Sequence, residues 1–299
     1  MIKEKLDNLD ELESESIYII REVFACAQNP VFLYSIGKDS SVLLHLAKKA
    51  FYPNKIPIPF LHIDTAYKFK EMISFRDKIK KDEFVNLIVE KNFLDKEEMN
   101  PLSFGRDICC KNLKTKGLLG AIKKHGFDFA IGGARRDEEK SRSKEKFFSL
   151  RTEDGFWDFK NQSPEFGKNY NTLLLKNNTF RVFPLSNWTE INIWQYIQRE
   201  NIEVVPLYFS QKRKVLIDKG LFIIEDDFFV PKKGEIKDVY CRFRSLGCSP
   251  CTAAIESRAD TVSAIIKELV ESKKSERENR LIDFDSDSSM EDKKKDGYF

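Results

Sequence analysis

Residues 34–41 read YSIGKDSS, a glycine–lysine pair between an apolar run and a stretch of helix-forming residues. The pair suggests a loop that holds phosphate. The commonest such loop reads G-x-x-x-x-G-K-[ST], with its final hydroxyl placed on Mg²⁺. Here Phe32 stands where the first glycine belongs, and Asp39 stands where the Ser or Thr belongs. A loop built to cleave a terminal phosphate is therefore not the default reading. What remains is a strand-to-helix turn whose backbone N–H groups face an anion at a helix N-terminus. Gly37 permits close approach, Lys38 adds a point charge, and Ser35, Ser40 and Ser41 offer hydroxyls. Taken alone, the tetrapeptide GKDS reads more readily as an ordinary turn.

The surroundings of that loop predict its setting. Residues 5–27 carry Leu6, Leu9, Leu12, Ile17, Ile20 and Val23 at helical spacing, an opening amphipathic helix. Asn29-Pro30 ends it, and residues 31–34 form a short apolar run of the kind buried in a parallel sheet. A helix over 40–50 follows, then a strand over 57–64, a helix over 70–81 and a strand over 85–89. A helix over 113–124 and a fourth strand over 127–133, ending in two glycines, complete the alternation. Strands alternating with helices predict an α/β fold, a parallel sheet with helices on both faces. Ligands of such sheets sit outside the carboxyl ends of the strands.

Two further segments share that edge. Asp64 and Thr65 end the second strand and would lie beside the first loop. The segment GGARRDEEKSRSKEK, 132–146, places Gly132, Gly133, Arg135 and Arg136 just past the fourth strand. Two glycines allow close approach, and arginine forks match a tetrahedral oxyanion. A solvated charged helix is the plainer alternative, because Asp137, Glu138 and Glu139 could pair internally. Residues 151–178 read as a long polar surface loop. A helix over 190–200 follows, with Thr189 as its N-cap and Ile193, Trp194 and Ile197 on one face. The chain divides at 1–205, carrying the site, and 206–299, a mostly irregular or helical extension that would contact a partner.

The 299 residues are 41% hydrophobic and 33% charged with a net charge of +3, which gives no case for nucleic acid or membrane. No apolar run approaches the roughly 20 residues of a membrane span. The acidic N-terminus lacks the order of a signal peptide. The expected compartment is cytoplasmic, where the six cysteines would not form a disulfide framework. His45, His62 and His125 read as structural, Trp188 and Trp194 as packing, and Cys26 and Cys241 as structural thiols.

Four stretches together carry a resemblance: S-x-G-K-D-S at 35–40, LHIDTAYKF at 61–69, GGARRDEEKSR at 132–142 and VFPLSNWTEINIWQYI at 182–197. They resemble the PP-loop adenylyltransferases of sulfate activation, and most closely the small, adenylating subunits of heterodimeric bacterial ATP sulfurylases. The resemblance continues through SERENRLIDFD and SMEDKKKDGYF in the tail. It implies that ATP and sulfate give adenylyl sulfate and diphosphate, with Mg²⁺ on the phosphates, as the first step of sulfate assimilation toward cysteine. It implies a diphosphate loop of Ser35, Gly37, Lys38, Asp39, Ser40 and Ser41. Asp64, Thr65, Gly132 and Gly133 would then meet the nucleotide, and Arg135 and Arg136 the sulfate or α-phosphate. It also implies a GTPase large subunit as partner, in a heterodimer or higher assembly.

The sequence departs from that family at two places. Ala66 replaces the glycine of D-T-G, where a methyl group disfavours positive φ. Cys109-Cys110 and the run Gly247-Cys-Ser-Pro-Cys-Thr252 replace a pattern with fewer cysteines. Cys109, Cys110, Cys248 and Cys251 resemble the [4Fe–4S] ligands of assimilatory adenylyl sulfate reductases, which share the fold. Four thiolates suit such a cluster, a zinc ion, or plain packing as small hydrophobes. An iron–sulfur sulfonucleotide reductase is thus the main alternative. Its attacking thiol would come from a C-terminal cysteine, and residues 252–299 contain none. A tRNA-thiolating relative would want a basic RNA-binding face, which the charge balance does not supply.

Overall fold

The computed structural model describes residues 7–91, 99, 101–138, 140–162, 165, 170, 172, 178–218, 221–224, 235–271 and 276. The chain opens on α1 (Asn8–Cys26), started by a reciprocal cap between Asp7 and Asp10. Then come β1 (Pro30–Leu33), α2 (Lys38–Phe51), β2 (Phe60–Asp64), α3 (Lys70–Ile79) and β3 (Leu87–Lys91). Short helices α4 (Pro101–Phe104) and α5 (Arg106–Cys110) run through a π-helical turn at Lys111–Lys116 into α6 (Gly117–His125). After them lie β4 (Phe129–Ile131), β5 (Phe148–Arg151), β6 (Thr179–Val182) and α7 (Glu190–Arg199). Thr189 caps α7, accepting from the Asn192 N–H, as its sequence predicts.

The main sheet has six strands in the order β3-β2-β1-β4-β6-β5. All neighbours are parallel except β5, which runs antiparallel to β6 at the edge. Alternation along β1 decides which layer each side chain joins. Phe32 packs in one core with α1, α2 and α7, while Val31 faces the opposite way onto Leu118, Ala121 and Ile122 of α6. The order reverses at β1: the chain moves outward to β2 and β3, then returns to place β4 on the other side. That reversal opens a crevice at the carboxyl ends of β1 and β4, where open α/β sheets bind ligands.

The region after residue 205 differs from its sequence reading. It contains a second sheet, of order β10-β9-β7-β8, built from β7 (Gln211–Asp218), β8 (Leu221–Ile224), β9 (Glu235–Arg242) and β10 (Ile255–Glu256). Its antiparallel partners run from Gln211 with Cys241 to Ile217 with Glu235. The strands QKRKVLID and EIKDVYCR carry too many charges to read as buried runs. Backbone pairing and one apolar face suffice to form them. Helix α8 (Val262–Glu271) then packs on α7. One core cluster holds Leu46, Phe60 and Val205 together with Val215, Phe243, Ile265 and Leu269, so the core runs unbroken across residue 206. Much of 151–178, and all the tail quoted above except Glu276, lies outside the described residues.

Candidate active site

The first loop enters α2 through a strained residue. Ile36 adopts φ 69° while fully buried. For a β-branched residue that conformation costs about 1–3 kcal/mol, and such strain concentrates where function over-determines the backbone. Gly37 has an ordinary φ of −77° and serves by its lack of bulk. A methyl group there would lie 3.3 Å from the Tyr208 hydroxyl. That hydroxyl accepts from the Lys38 backbone N–H at 2.8 Å, so Tyr208 closes the loop from 170 residues away. The Ser40 and Ser41 hydroxyls donate back to the Gly37 carbonyl at 2.8 and 3.2 Å, and Ser35 bonds Ser40 at 3.3 Å. Two of the serines therefore shape the turn that the sequence assigned them to line.

The third loop comes in against this one. A methyl group on Gly133 would meet the Asp39 backbone and Cβ at 3.3 Å. The close approach expected of the double glycine is thus real at Gly133, and its neighbour is the loop itself. It brings Arg135 over Asp39: Arg135 Nε donates to the carboxylate at 2.6 Å and Nη1 to Asp137 at 3.4 Å. Lys38 Nζ reaches the other Asp39 oxygen at 3.2 Å. Both cations also bond the carboxylate of Glu276. Lys38 and Arg135 are each 1% exposed. Burial would push the Lys38 ammonium down, but the Asp39 and Glu276 carboxylates hold it above its usual range. Burial would raise Asp39, and Lys38 with Arg135 bring it below the usual carboxylate value. Two buried cations thus share two carboxylates at the mouth of the β1–β4 crevice.

Arg136 goes elsewhere. Its guanidinium donates to the Asn187 side chain at 2.5 Å and to the Glu145 carbonyl at 3.3 Å, stacked 4.8 Å from the Phe147 ring centroid. The structure brings Arg135 to the crevice and ties Arg136 to the segment before α7.

The second loop bends at Ala66, which takes φ 65° despite its methyl group. Asp64 supports the bend by accepting from the Ala66 N–H at 2.9 Å and from Arg76 Nη1 at 2.9 Å. Burial would raise its carboxyl, and these two donors hold it below the usual value. Asp64 thus fixes the loop, and Arg76 is a partner the sequence did not announce. Thr65 turns its hydroxyl to Cys248 Sγ, 3.1 Å away.

Among relatives, the sulfate adenylyltransferase subunit 2 of Aeromonas salmonicida (strain A449) is 54% identical over 99% of this chain and 97% of its own. That of Bacteroides fragilis (strain YCH46) is 53% identical over 99% and 98%. The chain belongs to the sulfate adenylyltransferase subunit 2 family. The phosphoadenosine phosphosulfate reductase domain model also matches residues 29–254. Solved structures align more loosely. A phosphoadenylyl-sulfate reductase from Candida auris is 15% identical at a TM-score of 0.47, covering 68% of this chain and 91% of its own. An FMN adenylyltransferase from Candida glabrata is 16% identical at 0.49, covering 77% and 72%.

Within this family member the four singled-out cysteines lie close to one another, beside the second loop. Cys109 packs with Tyr67 and Leu113, and Cys248 joins that cluster. The Ser249 N–H donates to the Tyr67 carbonyl at 2.7 Å, and Arg106 to the Pro250 carbonyl at 3.0 Å, pinning the CSPC turn to α5. All are free thiols. Burial, then Cys248 and Cys110 nearby, push the Cys109 thiol up to about 12. Burial and the same neighbours raise Cys251. The quartet has the thiol count of a cluster or zinc ligand set but not its geometry. Among the described residues no group of three or more Cys, His, Asp or Glu is placed to hold a metal ion. No chemical step is derived through it.

Three residues of the site escaped the sequence: Tyr208, Arg76 and Glu276. Tyr208 lies in VVPLYF, which offered only an apolar run. Glu276 lies in the tail segment that carried the family resemblance, which was its one signal. Trp188 and Trp194 are fully buried, as packing residues should be.

Proposed function

We propose that the chain is the adenylating subunit of a sulfate adenylyltransferase, joining ATP and sulfate to form adenylyl sulfate and diphosphate. The observation that carries this reading is the pair of buried cations, Lys38 and Arg135, meeting at Asp39 above the carboxyl ends of β1 and β4. A sulfate oxygen attacks the α-phosphorus, the bond to the β-phosphate oxygen breaks, and diphosphate leaves with the electron pair. Sulfate is a poor nucleophile and the product anhydride is high in energy, so the protein contributes position and charge stabilisation. The α2 N-terminus, Lys38 and the backbone beside Ser35 and Gly37 would hold the departing diphosphate. Gly132 and Gly133 let that loop and the third one close on each other, and Arg135 presents a fork to oxyanions beside the α-phosphate. Arg136 would act by holding the segment before α7. Thr65 would border the nucleotide, with Asp64 keeping its loop in shape.

Mg²⁺, when bound, would neutralise charge on the ATP phosphates. Asp39 is the loop carboxylate with exposed surface, 25% of its side chain, to face the ion. The relatives are named as second subunits. On that ground this chain works with a partner subunit, a GTPase whose hydrolysis drives the uphill reaction. No helix among the described residues is long and apolar enough to cross a membrane, which suits the cytoplasmic setting we assign.

The test is sulfate-dependent diphosphate release from ATP, measured with and without the GTPase subunit and GTP. Adenylyl product and diphosphate are expected, increased by GTP. Formation of ADP and inorganic phosphate would sink the reading. Sulfite formed from adenylyl sulfate and a thiol donor would favour the reductase instead.

A further inference from the structure

The two cations assigned to the nucleotide phosphates and the attacking oxyanion, Lys38 and Arg135, already hold an anion. Glu276, 7% exposed, places one carboxylate oxygen on Lys38 Nζ and the other on Arg135 Nη2. It comes from 238 residues beyond Lys38, past α8. Asp39 and the half-exposed Asp137 already face the two cations, so Glu276 is a third carboxylate, the one buried against both, and burial raises its carboxyl.

That arrangement cannot survive substrate. A nucleotide's β- and γ-phosphates bring about three negative charges to the same donors. A carboxylate left among them would sit against like charge in a poorly solvated site. Of the carboxylates, Asp39 is fixed at the start of α2, and its backbone lies against Gly133. Glu276 takes a 3₁₀ conformation beyond α8 and reaches the two cations with its side chain.

We propose that Glu276 is an internal occupant of the anion site, a carboxylate of the chain itself that the phosphates of the nucleotide expel. The inference rests on reading the 34–41 loop as the diphosphate site. The unliganded protein then holds its two cations discharged, and every anion that enters must first displace Glu276. The apparent affinity for phosphates is lowered by the fraction of molecules in which Glu276 is seated. An anion too weak to displace it, such as a single inorganic phosphate, is screened out in favour of a chelating diphosphate.

Titration with inorganic pyrophosphate and with inorganic phosphate, by calorimetry and by thermal shift, tests this on the full chain. Glu276→Gln keeps the shape and removes the charge. It is expected to melt at a lower temperature than wild type without ligand, because the cations lose their partner. It is expected to bind pyrophosphate about tenfold more tightly and to gain a larger rise in Tm from it. Its preference for pyrophosphate over phosphate is expected to narrow. Pyrophosphate affinity equal to or weaker than wild type would overturn the proposal. If Glu276→Gln does not fold, Glu276→Asp keeps the charge but is one methylene short of bridging both cations. Tighter pyrophosphate binding by that variant supports displacement, and unchanged or weaker binding overturns it. If wild type and variants alike ignore pyrophosphate, the loop assignment itself falls, and this inference with it.

Discussion

The charged cluster at β1 and the thiol quartet beside β2 are built alike and finished differently. Each gathers four side chains from remote segments at the same edge of the sheet. In the first, Lys38, Arg135, Asp39 and Glu276 satisfy one another through bonds that fix every partner. In the second, Cys109, Cys110, Cys248 and Cys251 are neighbours held by apolar packing and backbone bonds, as free cysteines. Charge demands completion: a buried cation without a partner is costly. A buried thiol makes no such demand. Proximity alone is therefore weak evidence of chemistry, and closed charge balance is stronger.

Substitutions can break that contrast. The largest effect is expected for Arg135→Ala, which leaves Asp39 and Glu276 without their fork. It should lower kcat/KM about 10²–10³-fold and lower stability by about 3–5 kcal/mol, read from steady-state rates and denaturant melts. Gly37→Ala comes next. Its methyl group meets the Tyr208 hydroxyl at 3.3 Å, so a loss of about tenfold in activity is expected, with stability reduced by about 1–2 kcal/mol. Arg136→Ala removes a surface contact to Asn187 and a stack on Phe147. A fall in activity of no more than about threefold is expected, beside a stability loss of about 1 kcal/mol. An Arg136 effect as large as that of Arg135 would show that the two arginines act as one site. Smallest of all is the double change Cys110→Ser with Cys251→Ser, for which diphosphate release is expected to stay within about twofold, thiols being near-isosteric with hydroxyls. A collapse of activity, or stoichiometric iron or zinc in anaerobically purified wild type, would erase the contrast.

His62 reports on stability apart from chemistry, since it lies beneath both loops. Its Nδ1–H donates to the Tyr34 carbonyl at 2.8 Å, and Nε2 is buried without a hydrogen-bond partner among the described residues. Burial, and then the nearby Lys68, depress its pKa from 6.5 to about 4. The fold favours the neutral ring, so the unfolded chain binds the proton first as pH falls. Stability from this group is complete above pH 6.5 and is lost between 6.5 and about 4, a total of about 3 kcal/mol. Thermal melts across that range are expected to show the slope, and His62→Gln to flatten it.

Much of this architecture could be read before any coordinates, for a physical reason. The strands of the parallel sheet are buried on both faces, so they stand out as apolar runs between helical periods. The turn at 34–41 was legible as a strand-to-helix junction, while the backbone-directed role of Ser40 and Ser41 was not. The second sheet was not, because its strands are half solvated and charged, and pairing across 211–242 leaves no local signature. The partners of the site were hidden for the same cause. Tyr208 and Glu276 act through contacts spanning 170 and 238 positions, and nothing at either position alone says what it touches. The methyl group of Ala66 spoke against positive φ, yet the loop keeps it, and its counterpart at Ile36 was invisible, since an isoleucine is the last residue one would expect to bend that way.

That span of 238 positions also bears on how the molecule is made. A ribosome releases the lysine early and the glutamate much later, so through most of synthesis the Lys38 ammonium lacks one of its two counter-charges. Helix and sheet can assemble around it, but the electrical finish of the centre waits for the closing stretch of translation. A nascent chain stalled short of that point would carry a folded sheet and an unquenched positive hollow, a natural trap for whatever polyanion is abundant nearby.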